Sequence, residues 1–169
     1  MTNATVEAQG RPAEVLLVED NYGDVLLTRE AFRSSKVVIH LAVASDGEEA
    51  LSMLRREGVW SNQARPDLIM LDLNLPRMDG REALAAIKCD PALRRIPVIV
   101  MTSSRAQSDV SESYDLGANS YIIKPVEFGR LQVIVASLVS FWFRFAIVEL
   151  MTSCVYGFRY CCSVCELYC

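Results

Sequence analysis

The sequence predicts an α/β fold organised around a parallel sheet of five strands. Short apolar runs alternate five times with segments of helical spacing, and most links between them are short. The run of Leu, Ile and Met at positions 68–71 shows no polar alternation, which is typical of a strand that helices cover on both faces. Crossovers between parallel strands are expected to be right-handed. The pattern alone leaves the order of the strands in the sheet open.

Two strands and two helices are predicted before this central strand. They lie at 14–18 (strand), from 21–24 onward (helix), at 37–43 (strand) and from 45 onward (helix), with a rather long loop at 58–66. Glu48 follows Ser45 by three residues, which is the signature of a capping box at the start of the second helix.

The rest of the chain alternates helix and strand in the same way. The predicted elements lie at 81–88 (helix), 98–101 (strand), 108–116 (helix), 120–123 (strand) and from 127 onward (helix). Gly117 suits the left-handed residue that commonly ends a helix.

The composition indicates one globular domain that does not bind nucleic acid. The chain has 169 residues, of which 51% are hydrophobic and 22% are charged, enough for one core but not for two ordinary domains. Its net charge of -4 lacks the basic surface that a DNA-binding domain usually carries.

The two ends of the chain are predicted to lie outside the domain, which we place at 13–145. Residues 1–12 form a flexible polar leader without the apolar core of a secretory signal, so we expect a cytoplasmic protein. Residues 146–169 form an apolar tail with five of the six cysteines, unlike the even spread of a disulfide framework. Its cysteines suit zinc in type but not in spacing, and no histidine accompanies them, so we expect an apolar appendage and keep a zinc site as the alternative.

Polar side chains follow four of the predicted strands at the point where each strand ends. They are Glu19 and Asp20 after the first, Asp72 after the third, Thr102 after the fourth and Lys124 after the fifth. The carboxyl ends of such strands meet at the edge of the sheet where ligands bind. Each residue taken singly is more often a solvated strand end, but four matching ends are much less expected by chance.

These strand ends together predict an acidic pocket with a single positive counter-charge. Three neighbouring carboxylates either share protons or hold a hard divalent cation, and Mg²⁺ prefers oxygen ligands. The set is suited to phosphoryl transfer onto a carboxylate, with Mg²⁺ and Lys124 neutralising charge on the phosphoryl oxygens. The Thr102 hydroxyl would donate a hydrogen bond to one of them.

Five motifs in this frame resemble the receiver domain of a two-component response regulator. They are VLLVEDN, DGEEAL, PDLIMLDLNLPRMDG, PVIVMTSS and GANSYIIKP, and the resemblance extends from residue 14 to about residue 143. It implies a doubly wound, flavodoxin-like sheet of order 2-1-3-4-5 with helices on both faces. The segments VEDNYGDVLLTREAF and DPALRRIPVIVMTSSR are most similar to single-domain regulators that partner phytochrome-type histidine kinases.

The resemblance also implies a role for each pocket residue. Asp72 is the expected phosphoacceptor, which attacks a phosphohistidine of a sensor histidine kinase, and Lys124 pairs with the phosphoryl group. The expected Mg²⁺ ligands are the side chains of Asp20 and Asp72, the backbone carbonyl of Asn74 and, through water, Glu19. The bond between Lys124 and Pro125 is expected to be cis. Such a protein is not an enzyme on other substrates, because it catalyses only its own phosphorylation and dephosphorylation.

The signal is expected to leave the pocket through Thr102 and Tyr121. Phosphorylation adds about -1.5 to -2 charges and three acceptor oxygens, which would draw Thr102 toward them. In the family, the aromatic residue three positions before the lysine, here Tyr121, then moves inward and changes the surface that partners contact. The alternative is an ordinary strand tyrosine with its hydroxyl in solvent.

The last predicted helix is apolar nearly all round. Its apolar residues are Leu131, Val133, Ile134, Val135, Leu138, Val139, Phe141, Trp142 and Phe143. One face is expected to pack on the sheet and the other on a second copy of the chain, which gives a homodimer. The alternative is that the C-terminal tail folds back and covers the second face. The thirteen residues between Arg130 and Arg144 are too few for the about twenty that a membrane span needs.

Two other classes of protein remain as alternatives. A haloacid-dehalogenase-like phosphatase also uses an aspartyl nucleophile with Mg²⁺, but it requires that nucleophile at the first strand and a second aspartate two residues later, where this chain has Asn74. A degenerate receiver that acts only as an interaction module would not need the complete set of acid, hydroxyl and lysine. His40, the only histidine, lies in a strand pattern, so we expect a structural or solvent-facing role.

Overall fold

Five parallel strands form one sheet, which confirms the predicted fold class. The computed structural model describes residues 11–35 and 37–145, and of residues 144 and 145 only the backbone. The strand order is β2-β1-β3-β4-β5, the doubly wound order that the resemblance implied. The strands are β1 (Ala13–Val18), β2 (Ile39–Ala44), β3 (Leu68–Leu71), β4 (Val98–Thr102) and β5 (Ser120–Ile123).

Five helices alternate with these strands along the chain. They are α1 (Tyr22–Arg33), α2 (Gly47–Arg55), α3 (Gly80–Cys89), α4 (Gln107–Asp115) and α5 (Phe128–Ser140). A 3₁₀ turn, Gly58–Trp60, lies in the loop before β3, and a π-helical turn, Phe141–Phe145, continues α5. Residues 1–10 of the leader and the cysteine-rich tail at 146–169 lie outside the described residues.

β3 is buried on both faces, and its side chains enter two separate parts of the core. Ile69 and Leu71 pack with residues of α2 and α3, whereas Leu68 and Met70 pack with residues of α1 and α5. All four side chains are at most 1% exposed, which explains why this strand shows no polar alternation. Helices therefore cover both faces of the sheet, as predicted.

The strand register brings the carboxyl ends of the strands to one edge of the sheet. Val18 of β1 pairs with Leu71 of β3, and one residue further the N–H of Asp72 donates to the Val18 carbonyl at 3.0 Å. Across the sheet, the N–H of Lys124 donates to the Thr102 carbonyl at 2.8 Å. Backbone hydrogen bonds therefore fix the polar residues that follow the strands.

The capping box predicted between Ser45 and Glu48 is wrong by one residue. α2 is capped by Asp46, whose carboxylate accepts the N–H of Glu49 at 2.9 Å, and the Glu49 carboxylate accepts the N–H of Ser45 at 2.7 Å. Aspartate caps helices as well as serine does. The Asp46 side chain is also fully buried, where an unpaired carboxylate would be costly, and it contacts the Arg77 guanidinium as well as the N–H of Glu49.

The peptide bond between Lys124 and Pro125 is trans, so the expected cis bond is wrong. Within the described part of the chain there is no cis peptide bond. The trans form of an X-Pro bond is favoured by about 0.5–1 kcal/mol. With the trans bond, the Lys124 side chain reaches the carboxylates of the pocket.

α5 buries one apolar face and leaves another exposed. Leu131, Val135 and Val139 are at most 7% exposed and pack with residues of α1 and the sheet. Val133 and Phe141 are 66% and 57% exposed. Among the described residues, no helix is long and apolar enough to cross a membrane.

The start of α3 packs so closely against the end of β3 that only glycine fits at position 80. A Cβ on Gly80 would lie 2.0 Å from the carbonyl oxygen of Asp72 and 2.6 Å from the Cα of Leu73. Both atoms belong to the backbone, so neither is moved by a side-chain rotation. This contact holds the start of α3 against the residue that carries the candidate nucleophile.

We expect Gly80→Ala to lower the free energy of unfolding by at least about 2 kcal/mol, because overpacking typically costs about 1–3 kcal/mol and this contact involves rigid backbone. The matched control is Gly129→Ala in the first turn of α5, where a Cβ meets nothing within 4 Å. There we expect a gain of up to about 1 kcal/mol from the higher helix propensity of alanine. Urea denaturation followed by circular dichroism measures both changes. Equal stability of the two variants would contradict the close contact at Gly80.

Candidate functional site

The ammonium group of Lys124 lies at the centre of the candidate site and contacts three carboxylates. Its Nζ atom is 2.5 Å from Glu19 Oε2, 2.6 Å from Asp72 Oδ2 and 2.9 Å from Asp24 Oδ2. An ammonium has three N–H donors, so each carboxylate accepts one hydrogen bond. The structure thus brings together the residues that follow β1, β3 and β5.

Burial and the contacts within this cluster shift the pKa values of its charged groups. The side chains of Glu19 and Asp72 are 2% and 6% exposed. Burial by itself lowers the pKa of Lys124, but the hydrogen bonds to Asp72, Glu19 and Asp24 outweigh it and raise that pKa above its usual value. Burial raises the pKa of Glu19, and the contact with Lys124 opposes that shift. Lys124 is therefore a permanent positive charge beside the Asp72 carboxylate.

Asn74 links the Asp72 carboxylate to the Thr102 hydroxyl. Its backbone N–H donates to Asp72 Oδ1 at 3.1 Å, and its side-chain amide donates to Thr102 Oγ1 at 3.3 Å. Thr102 is fully buried at the end of β4. The two oxygens of Asp72 are therefore held differently, Oδ2 by Lys124 and Oδ1 by a backbone N–H.

Asp20 lies apart from this cluster. It is exposed and makes no hydrogen bond or ion pair with another described residue. In the part of the chain that the structure describes, no group of three or more His, Cys, Asp or Glu side chains is arranged to hold a metal ion. Glu19 and Asp72 share the Lys124 ammonium instead. The potential ligands at this sheet edge are nevertheless all oxygens, the donor type that Mg²⁺ prefers.

A second polar network connects the segment after β4 to α3, α4 and β5. The Tyr121 hydroxyl donates to the backbone carbonyl of Ser104 at 3.1 Å, and the Ser104 hydroxyl donates to the Asp109 carboxylate. Arg81 of α3 contacts the same carboxylate at 2.8 Å. Hydrogen bonds from Ser104 and Arg81 lower the pKa of Asp109, whereas burial raises the pKa of Tyr121. The Tyr121 hydroxyl therefore has a protein partner, the carbonyl of Ser104.

Several participants in these networks are missing from the residues predicted from the sequence, among them Asp24, Arg81 and Asp109. Asp24 contacts Lys124 from the first turn of α1, and its signal in the sequence is the spacing of four residues from Asp20. Arg81 gives no such signal, because Asp109, the carboxylate that it shares with Ser104, lies on another helix, α4. The lone His40 is 60% exposed and contacts Glu14 at 2.9 Å, in accord with the expected structural or solvent-facing role.

Comparison with known proteins gives a consistent match across this fold. Residues 15–136 match the response regulator receiver domain family. The response regulator Rcp1 of Synechocystis sp. is 44% identical over 131 residues, which cover 78% of this chain and 89% of that protein.

Solved structures show the same similarity in three dimensions. The phosphorylated cyanobacterial phytochrome response regulator RcpA has a TM-score of 0.79 at 45% identity, and the match covers 83% of this chain and 100% of that chain. The Mn²⁺-bound form of the response regulator Rcp1 has a TM-score of 0.77 at 41% identity, with 82% of this chain and 100% of that chain covered. These matches confirm the resemblance drawn from the five motifs. The chain belongs to the response regulator receiver domain family, the signalling domains of two-component systems.

Proposed function

We propose that this chain accepts a phosphoryl group on Asp72 from the phosphohistidine of a sensor histidine kinase. The observation that carries the proposal is the Lys124 ammonium, 2.6 Å from Asp72 Oδ2 in a largely buried pocket. A carboxylate nucleophile beside a permanent cation and a hydroxyl donor is suited to phosphoryl transfer. The chain then catalyses only its own phosphorylation and dephosphorylation, so it is a phosphoacceptor and not an enzyme on other substrates.

The transfer forms a bond from an Asp72 carboxylate oxygen to phosphorus while the bond from phosphorus to the imidazole nitrogen of the kinase breaks. Lys124 exchanges its bond with Asp72 for one with a phosphoryl oxygen and so neutralises negative charge that develops there. Thr102 donates its hydroxyl to another phosphoryl oxygen. Burial strengthens both interactions, because charges are screened less away from bulk water.

Mg²⁺ is the proposed cofactor, because the potential ligands at this sheet edge are all oxygens. The proposed ligands are the side chains of Asp20 and Asp72, the backbone carbonyl of Asn74 and, through water, Glu19. Asp20 follows Glu19 directly in the chain, so three carboxylates follow adjacent strands β1 and β3. When bound, the ion supplies positive charge to the phosphoryl oxygens. The Mn²⁺-bound structure of Rcp1 supports a divalent cation in a relative that is 41% identical.

The kinase is proposed to be of the phytochrome type. RcpA, which is 45% identical to this chain, is a cyanobacterial phytochrome response regulator. The similarity covers 100% of the RcpA chain, so it is not limited to the motifs that receiver domains share.

Thr102 and Tyr121 are proposed to carry the signal out of the pocket. Ser104, whose carbonyl accepts the Tyr121 hydroxyl at 3.1 Å, lies only two residues after Thr102. A shift of Thr102 toward the phosphoryl group therefore moves the segment that holds Tyr121. The surface formed by α4, β5 and α5 changes as a result, and partners contact that surface. Coupling energies of this kind are typically about 1–3 kcal/mol.

The exposed apolar face of α5 is proposed to form a homodimer interface. Val133 and Phe141, at 66% and 57% exposure, lie on the helix and the turn that continues it. Exposed apolar side chains that cluster on one element are typical of contact surfaces. The opposite face of α5 is already buried against the domain, so a second copy supplies the cover that this face lacks.

Incubation with Mg²⁺ and a small acyl or amido phosphate should add one phosphoryl group to the chain, and Asp72→Asn should abolish this adduct. The amide lacks the charged oxygen that attacks phosphorus. Intact-mass spectrometry measures the adduct. The matched control is Asp115→Asn, which changes an exposed carboxylate at the end of α4 and should leave the adduct intact. Continuous release of phosphate without an accumulating adduct would indicate a phosphatase instead.

Removal of Mg²⁺ with a chelator should prevent adduct formation, and Asp20→Asn should raise the Mg²⁺ concentration for half-maximal rate by at least about tenfold. Even supporting groups around a metal contribute about 10–100-fold to its affinity, and a direct carboxylate ligand contributes at least as much. The measurement is the initial rate of adduct formation against Mg²⁺ concentration. A Mg²⁺ requirement equal to that of the wild type would remove Asp20 from the ligand set.

Val133→Glu should weaken self-association by at least about tenfold, because an unpaired charge in the centre of an interface is strongly destabilising. Sedimentation velocity over a range of protein concentrations measures the dissociation constant. The matched control is Val59→Glu on the 3₁₀ turn, since Val59 is 89% exposed and lies away from α5 in the sequence. A wild-type chain that stays monomeric at every concentration would contradict the proposed dimer.

A further inference from the structure

We propose that Asp24 is a positioning residue for phosphoryl transfer to Asp72, because it anchors the Lys124 ammonium from α1. The inference rests on the proposed function of Asp72 as the phosphoacceptor. Asp24 is neither the acceptor nor one of the proposed metal ligands. It is nevertheless the third partner of the ammonium, with Oδ2 at 2.9 Å from Nζ.

The other two anchors of the ammonium change their partners during the transfer. Asp72 Oδ2, 2.6 Å from Nζ, belongs to the group that becomes phosphorylated. Glu19 Oε2, 2.5 Å from Nζ, belongs to the proposed ligand set of the cation. Asp24 is in neither position. Its carboxylate therefore holds the same N–H of Lys124 before and after the phosphoryl group arrives.

The first turn of α1 makes Asp24 a well-fixed anchor. Asn21 caps this helix, and its side chain accepts the N–H groups of Gly23 and Asp24 at 2.8 and 3.2 Å. The next residue, Val25, is 7% exposed and packs in the core between α1 and the sheet. The cap at Asn21 and the buried Val25 thus fix the backbone of Asp24 from both directions along the chain. Its side chain therefore reaches the lysine from a helix and not from a loop.

Two other roles for the Asp24 carboxylate make different predictions. An acidic residue in the first turn of a helix stabilises the helix through its dipole, and loss of that effect alone would change stability but not the transfer rate. A purely electrostatic role would repel the anionic phosphodonor. Removal of the charge would then tighten donor binding equally in Asp24→Asn and Asp24→Ala. Positioning predicts that these two variants differ.

The pair of variants tests positioning because asparagine keeps an acceptor oxygen for Lys124 and alanine has none. We expect Asp24→Ala to lower the saturating rate of adduct formation by about tenfold, since small misplacements of a reacting group can cost up to about 100-fold. The donor concentration at half saturation should stay unchanged, and Asp24→Asn should recover most of the rate. Glu30→Ala, which removes a 57% exposed carboxylate of α1, should behave like the wild type.

A second measurement needs neither a metal ion nor a phosphodonor. The sequence has three lysines, Lys36, Lys88 and Lys124, so the ammonium signal of Lys124 can be assigned in ¹H–¹⁵N spectra by comparison with Lys124→Arg. Three hydrogen bonds slow the exchange of the ammonium protons with water. We expect this signal to be lost through faster exchange in Asp24→Ala and retained in Asp24→Asn. An unchanged signal in Asp24→Ala would overturn the anchoring.

The two measurements also separate failure of this inference from failure of the proposed function. If the wild type and Asp24→Ala form the adduct at equal saturating rates, Asp72 remains the phosphoacceptor and the role of Asp24 is refuted. If the wild type forms no adduct, the phosphoacceptor function fails and the role of Asp24 in it fails too, even where the ammonium signal shows the contact. If only the donor concentration at half saturation changes, and it changes equally in both Asp24 variants, the role of Asp24 is charge repulsion of the donor and not positioning.

Discussion

The contact between one lysine ammonium and three carboxylates is the interaction on which the site depends. Glu19 and Asp72 are almost completely buried and would repel each other without a cation between them. The strand order explains why a lysine supplies that cation. β5 is separated from β3 by β4, and neighbouring strands lie about 4.8 Å apart, so only a long side chain can cross the end of β4. β4 ends in Thr102, a small residue that leaves room for the crossing.

The segment that follows β4 joins the pocket to the surface of the domain. On the pocket side, Asn74 connects Asp72 to Thr102. Ser104, two residues after Thr102, accepts the Tyr121 hydroxyl on its carbonyl and donates its own hydroxyl to the Asp109 carboxylate. A change at Asp72 therefore has a short physical path to α4 and β5. The side-chain contacts along this path are hydrogen bonds between specific groups, so the proposed coupling follows physical contacts.

The fold was largely predictable because burial leaves a clear pattern in the sequence. The uninterrupted apolar run of β3 follows from its two covered faces, and the polar residues after β1, β3 and β5 meet where parallel strands end. Local signals were weaker where two neighbouring residues could serve the same purpose. At the start of α2, Ser45 and Asp46 are both good capping residues, and it is the completely buried Asp46 that takes the position. The bond before Pro125 is hard to predict for a similar reason, since the two isomers differ little in energy.

The fold class, the five-fold alternation of strand and helix, and the identity of the acidic, hydroxyl and lysine groups at the sheet edge all follow from the sequence alone. These features depend on periodicity and on residue type, both of which are local. The tertiary structure decided which groups actually touch. It placed Asp24 on Lys124, left Asp20 exposed, and directed the Tyr121 hydroxyl to Ser104. The two contacts join residues 17 and 100 positions apart, and they depend on side-chain direction and helix placement, which no local pattern encodes.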